Sequence, residues 1–84
     1  MRIKDCFKKK GLKASEIRAL IDENILSERD RRLLKRILLD GITYQKASEE
    51  VNLSVRYTIK IVHKNVKILL DILDENETDH KKGT

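Results

Sequence analysis

The chain contains no proline and no tryptophan, one cysteine, one phenylalanine, two tyrosines and three glycines among its 84 residues. With no proline and so little glycine, nothing forbids long helices except at Gly11, Gly41 and Gly83, and the first two sit where helical patterns break. The single Cys6 excludes an internal disulfide framework and suits a reducing compartment, so a cytoplasmic location is expected. Apolar runs are short and flanked by charge, which argues against a secretory or membrane-spanning segment. Cys6, His63 and His80 lack the paired spacing of a metal site, and no cofactor is expected. The chain also lacks a phosphate-cradling glycine loop, a nucleophile motif and an acid/base pair in an apolar setting, so no enzyme activity is expected.

What is present is charge, unevenly spread. Lys and Arg number 19 against 14 Asp and Glu, a formal net charge of +5. Arg2, Lys4, Lys8, Lys9, Lys10 and Lys13 make a basic start, and Arg29, Arg31, Arg32, Lys35 and Arg36 a second cluster. From Val51 to Leu70 there is no acid, but there are Arg56, Lys60, Lys64 and Lys67; acids return at Asp71, Asp74, Glu75, Glu77 and Asp79. Such a body attracts polyanions, nucleic acid being the commonest, although a solvated face is the ordinary alternative for any one of these side chains.

The periodicities predict an all-α, four-helix domain with a helix-turn-helix and a long last helix. Residues 1–14 read as a basic flexible arm, with a patch of Ile3, Cys6 and Phe7 able to dock on the body. Residues 15–74 form the helical domain, and residues 75–84 read as a disordered polar tail. Ser15 is the expected cap of a first helix ending near Glu23, with Ile17, Leu20 and Ile21 at helical spacing. Ser27 caps the second, whose apolar face is Leu33, Leu34, Ile37 and Leu38 and which ends at Asp40-Gly41. Thr43 caps a short third helix, Tyr44 to Glu50, and Ser54 caps the fourth, which extends to about Leu73.

The stretch TYQKASEEVNLSVRYTIKI, Thr43 to Ile61, reads as short helix, tight turn, second helix. Ala47 and Ser48 are small enough for two helices to cross closely. Val51 and Leu53 bracket the turn, and Asn52, one of the few residues that tolerates positive φ, makes the bend.

On these residues the segment Leu26 to about Leu69 resembles region 4 of bacterial sigma factors, which reads the promoter −35 element. LSERDRRLL resembles that family's opening, and DGITYQKASEEVNLS its acidic-Gly, Thr, small-residue and turn pattern. Asn52 stands where the family usually has glycine, and Val55, Ile59 and Val62 are apolar where it more often has polar or basic residues. The resemblance implies a DNA-binding transcription regulator. Its length is that expected of a stand-alone phage or mobile-element type, and RNA polymerase is a second partner it implies.

In a helix-turn-helix of this register, Arg56, Tyr57 and Lys60 approach base edges or nearby phosphates. Lys64 and Lys67 meet phosphates further on, and Arg31, Arg32 and Lys46 touch the DNA backbone on the flanks. The last helix also carries a heptad-like seam of Val55, Ile59, Val62, Val66, Leu69 and Leu73, beside a strip of Ile61, Ile68 and Ile72. Three covers for this seam are open: the chain's own first helix (Ile17, Leu20, Ile21, Ile25), a second copy in a homodimer, or a helix of RNA polymerase. The competing functional readings are a protein-interaction factor using that seam, with DNA contact secondary, and an RNA-binding accessory factor.

Overall fold

The computed structural model describes residue 7 and residues 9–82, with side chains as far as Glu75. Four helices follow one another with no strand among the described residues: α1 (Ala14–Asn24), α2 (Glu28–Leu38), α3 (Tyr44–Val51) and α4 (Val55–Lys82). The expected four-helix architecture, with the last helix the longest, is the one found.

Each start has a local cause. The Lys13 N–H donates to the Glu16 carboxylate at 2.8 Å, so α1 opens one residue before Ser15, its end closed by an acid reaching back rather than by a serine. Ser27 Oγ accepts from the Asp30 N–H, and Thr43 Oγ1 from that of Lys46, as their sequence positions imply. α2 stops at Leu38; its end folds over as the Ile42 N–H donates to the Arg36 carbonyl at 3.1 Å, with Gly41 at φ 74°. A left-handed backbone there is why glycine suits the position.

The core draws on every helix. Ile17, Ile21 and Ile25 from α1 and its exit meet Leu33, Leu34, Ile37 and Leu38 of α2, Ala47 of α3, and Ile61, Val62, Val66 and Leu69 of α4. α4 lies against α1, α2 and α3. At roughly 100° per residue, its buried arc of Thr58, Ile61, Val62, Asn65, Val66 and Leu69 falls between the two apolar strips read from the sequence, taking residues from both. Ile68 falls outside it and is 39% exposed, whereas Val55, within the arc but at the first residue of α4, is 40% exposed.

Two features lie at the ends of the helical domain. The first concerns the arm. Ile3 and Cys6 lie outside the described residues, but Phe7 is fully buried in the core, and Lys10 Nζ pairs with Asp74 of α4 at 2.8 Å. A buried phenyl ring takes a large apolar area out of water, so Phe7 itself is anchored on the helical domain. The second concerns the tail. The backbone stays helical beyond Leu73, through Lys82. Nothing between Val55 and Lys82 breaks a helix, the next glycine being Gly83, and propagation adds one hydrogen bond per residue fixed.

Thr58 is fully buried and its hydroxyl has no hydrogen-bond partner among the described residues. A buried, unpaired hydroxyl costs about 1–3 kcal/mol. Thr58→Val keeps the shape and removes that cost, so it is expected to raise the thermal unfolding midpoint; a lowered midpoint would show that the hydroxyl has a partner in solution.

Candidate nucleic-acid interface

The turn between α3 and α4 is tight and left-handed at one residue. Asn52 adopts φ 57°, ψ 43°, the only non-glycine residue of positive φ among those described. Its N–H donates back to Glu49, and the Leu53 N–H to Ser48 at 3.0 Å, so the last carbonyls of α3 are satisfied as the chain reverses. Val51 and Leu53 pack on the core from either side. Ala47 and Ser48 are buried where α3 crosses α4, and Ser48 turns its hydroxyl to the Gln45 carbonyl at 2.6 Å. The Ser54 hydroxyl accepts from the Tyr57 N–H at 3.1 Å and opens α4.

With the buried arc fixed, the rest of α4 faces solvent. Arg56, Lys60, His63, Lys64 and Lys67 are exposed on the side opposite Thr58 and Leu69. Tyr57 is 48% exposed at one edge of this face, and the His63 ring meets the half-buried Tyr44 edge-on at 6.3 Å at the other. Burial raises the Tyr44 phenol above its ordinary pKa. Arg56, Lys60, Lys64 and Lys67 have no ion pair or side-chain hydrogen bond among the described residues.

The cations of α2 behave differently. Lys35 pairs with Asp22 at 2.7 Å, and this hydrogen bond holds the Asp22 carboxyl below the ordinary range. Arg36 is forked between Asp40 at 2.9 Å and Glu50 at 2.7 Å, tying α2 to α3. Arg29 reaches Asp30 at 3.3 Å. Lys35 and Arg36 thus tie α2 to α1 and α3, whereas the cations of α4 are left to solvent.

The three flanking cations are not equally engaged. Arg32 and Lys46 are both exposed and both act on the Glu50 carboxylate, so they share a face. Arg31 lies on the same side as Arg32 but is engaged: half-buried, it donates Nε–H to the Ile25 carbonyl and acts on Asp22. Its role in closing the α1–α2 loop competes with the phosphate contact expected of it. The apolar seam is divided as well. Val62, Val66 and Leu69 are enclosed in the chain's own core, Ile59 and Leu73 are half-buried, and Val55 is exposed. Of the three covers left open by the sequence, the intramolecular one is the one found for the middle of the seam.

Sequence reading gave no role to Asn65. It is buried on α4 and donates to Asp30 of α2 at 3.1 Å and to the Ile61 carbonyl at 2.9 Å, so it fixes how α4 crosses α2. The available signal was its place among apolar residues on an inward arc, since a buried amide demands partners.

The Arg36–Glu50 tie has a pH consequence. Hydrogen bonding from Arg36 holds the Glu50 carboxyl below its ordinary range, with the fields of Arg32 and Lys46 adding to it. A depressed carboxylate pKa contributes stability above the unfolded value and loses it as pH falls through the folded one. Glu50→Gln is therefore expected to flatten the acid limb of the stability curve below about pH 4.3, read as the thermal midpoint against pH; an unchanged acid limb would contradict the tie.

No protein-family model, curated protein or solved structure matches this chain.

Proposed function

We propose that the protein is a sequence-specific, double-stranded DNA-binding transcription regulator without catalytic chemistry of its own. One observation carries the reading. The helix after a left-handed turn at Asn52 buries one arc in the core and presents Arg56, Lys60, Lys64 and Lys67, without partners among the described residues, on the other. A major groove about 12 Å wide admits one such helix. Arg56, Tyr57 and Lys60, in its first turns, are assigned to base edges and adjoining phosphates, Lys64 and Lys67 to phosphates, and Arg32 and Lys46 to the flanking backbone. The likeness of Leu26 to Leu69 to sigma region 4 supports the same assignment.

A reading centred on the seam of α4 has less to stand on. Binding RNA polymerase or a second copy through Val62, Val66 and Leu69 requires the chain's own core to open. Among the described residues no helix is long and apolar enough to cross a membrane.

The test is anisotropy of a labelled duplex, chosen by selection from a random library, titrated at several salt concentrations. Affinity should fall with salt, and Lys64→Ala or Lys67→Ala should each reduce the log–log slope by about 1 while weakening all duplexes alike. Equal binding of structured RNA at fixed salt, or no enrichment in the selection, would refute the reading.

A further inference from the structure

An open groove of about 770 Å³ runs between α1, α2 and the C-terminal end of α3, and no residue of α4 lines it. Six of its lining side chains are cationic and four anionic, an excess of two positive charges. Most of the acids are already held: Asp22 by Lys35, and Asp40 and Glu50 by Arg36. Arg18 and Arg32 are the least engaged, acting only through their fields, Arg18 on Asp22 and Arg32 on Glu50. Both are exposed, and neither has an ion pair or side-chain hydrogen bond among the described residues. Leu39 and Val51, both half-buried, add an apolar footing where α2 and α3 end.

We infer that this groove docks an acidic segment of a partner protein, with carboxylates on Arg18 and Arg32 and an apolar side chain against Leu39 and Val51. A guanidinium offers paired donors that match a carboxylate. Duplex DNA fits less well. Its phosphates place one charge every 1.7 Å or so along the axis, and such a row would meet Glu28, without an ion pair among the described residues, as well as the Arg36-bound Asp40. Separate carboxylates on a peptide can be spaced to pass them. The groove shares no residue with the α4 ridge, but it shares Arg32 with the flanking DNA contacts proposed above, so the two ligands would compete there. The inference uses none of the α4 cations, and Arg18, which has no role in the DNA assignment, separates the two.

The probe is a fluorescein-labelled amphipathic peptide carrying aspartate and glutamate with leucines on one face. It is titrated with the full chain, and anisotropy is read. Arg18→Glu with Arg32→Glu is expected to weaken binding by about tenfold or more, and a peptide with lysine in place of its acids is expected to bind that variant better than wild type. Arg18→Ala with Arg32→Ala serves as the milder pair, and circular dichroism checks that each variant is folded. Arg56→Glu with Lys60→Glu should leave peptide affinity within about twofold, as for distant sites. Equal loss in both sets of variants would mean diffuse attraction to a basic protein and overturn the inference. So would the absence of peptide binding, or a labelled duplex that loses affinity with Arg18→Glu while the peptide does not.

Discussion

Replacing Arg56 and Lys60 together with alanine is expected to abolish the preference for a selected duplex over a random one. A bidentate arginine–guanine pair is worth about 1–3 kcal/mol of discrimination, which is roughly 5- to 150-fold for Arg56 alone. Lys60 lies one turn further on, on the same exposed face. The pair should therefore reduce specific binding to the level of non-specific binding, while the phosphate-directed Lys64 and Lys67 keep a residual, salt-sensitive affinity. Neither side chain is packed in the core or paired within the chain, so the unfolding midpoint should hardly move. Competition between selected and random duplex, paired with thermal unfolding, separates lost recognition from lost fold. Full discrimination in the double variant would place recognition elsewhere on the molecule.

Phe7→Ala is expected to be the most damaging single truncation in the chain. The ring is fully buried in the common core with Ile21, Leu34 and Leu69. Removing a buried phenyl group costs about 3–5 kcal/mol, and a domain of this length has only about 4–13 kcal/mol to lose. Urea unfolding should show the midpoint shifted strongly downward, or a chain already unfolded at room temperature. A shift near that of an exposed control such as Leu26→Ala would mean that the segment before α1 contributes little to the core. The loss should also carry DNA binding with it, because α4 is held on the same core.

The two predictions differ in what the sequence disclosed. The ridge was legible: Arg56, Lys60, Lys64 and Lys67 recur on one helical face, interrupted by no acid, and local rules suffice to place them. So were the caps at Ser27, Thr43 and Ser54 and the left-handed turn at Asn52, because each is a short-range arrangement of side chain and backbone. Phe7 was legible only as part of a patch able to dock, since among lysines it has no periodic neighbours and its burial depends on where α4 passes. The same limit applies to the seam. Two apolar strips side by side on α4 do not reveal which is covered, and the answer depends on the angle at which α1 and α2 cross it. Asn65 meeting Asp30 across two helices, and Arg36 joining Asp40 to Glu50, are pairings of the fold that spacing alone does not define. Arg31 shows another such limit: as a cation beside Arg32 it read as a flanking contact, and its bond to the Ile25 carbonyl was not visible from spacing. At the far end, composition suggested disorder after Asp74, but an unbroken helix had no local reason to stop before Gly83.

The central claim is that the exposed face of α4 enters a DNA groove. The most direct measurement is amide chemical-shift mapping on nitrogen-labelled protein as a library-selected duplex is titrated in. The account predicts that the shifts concentrate between Ser54 and Lys67, with lesser ones at Arg32 and Lys46. Shifts confined to the α1–α2 groove with α4 unmoved, or none at saturating duplex, would contradict it.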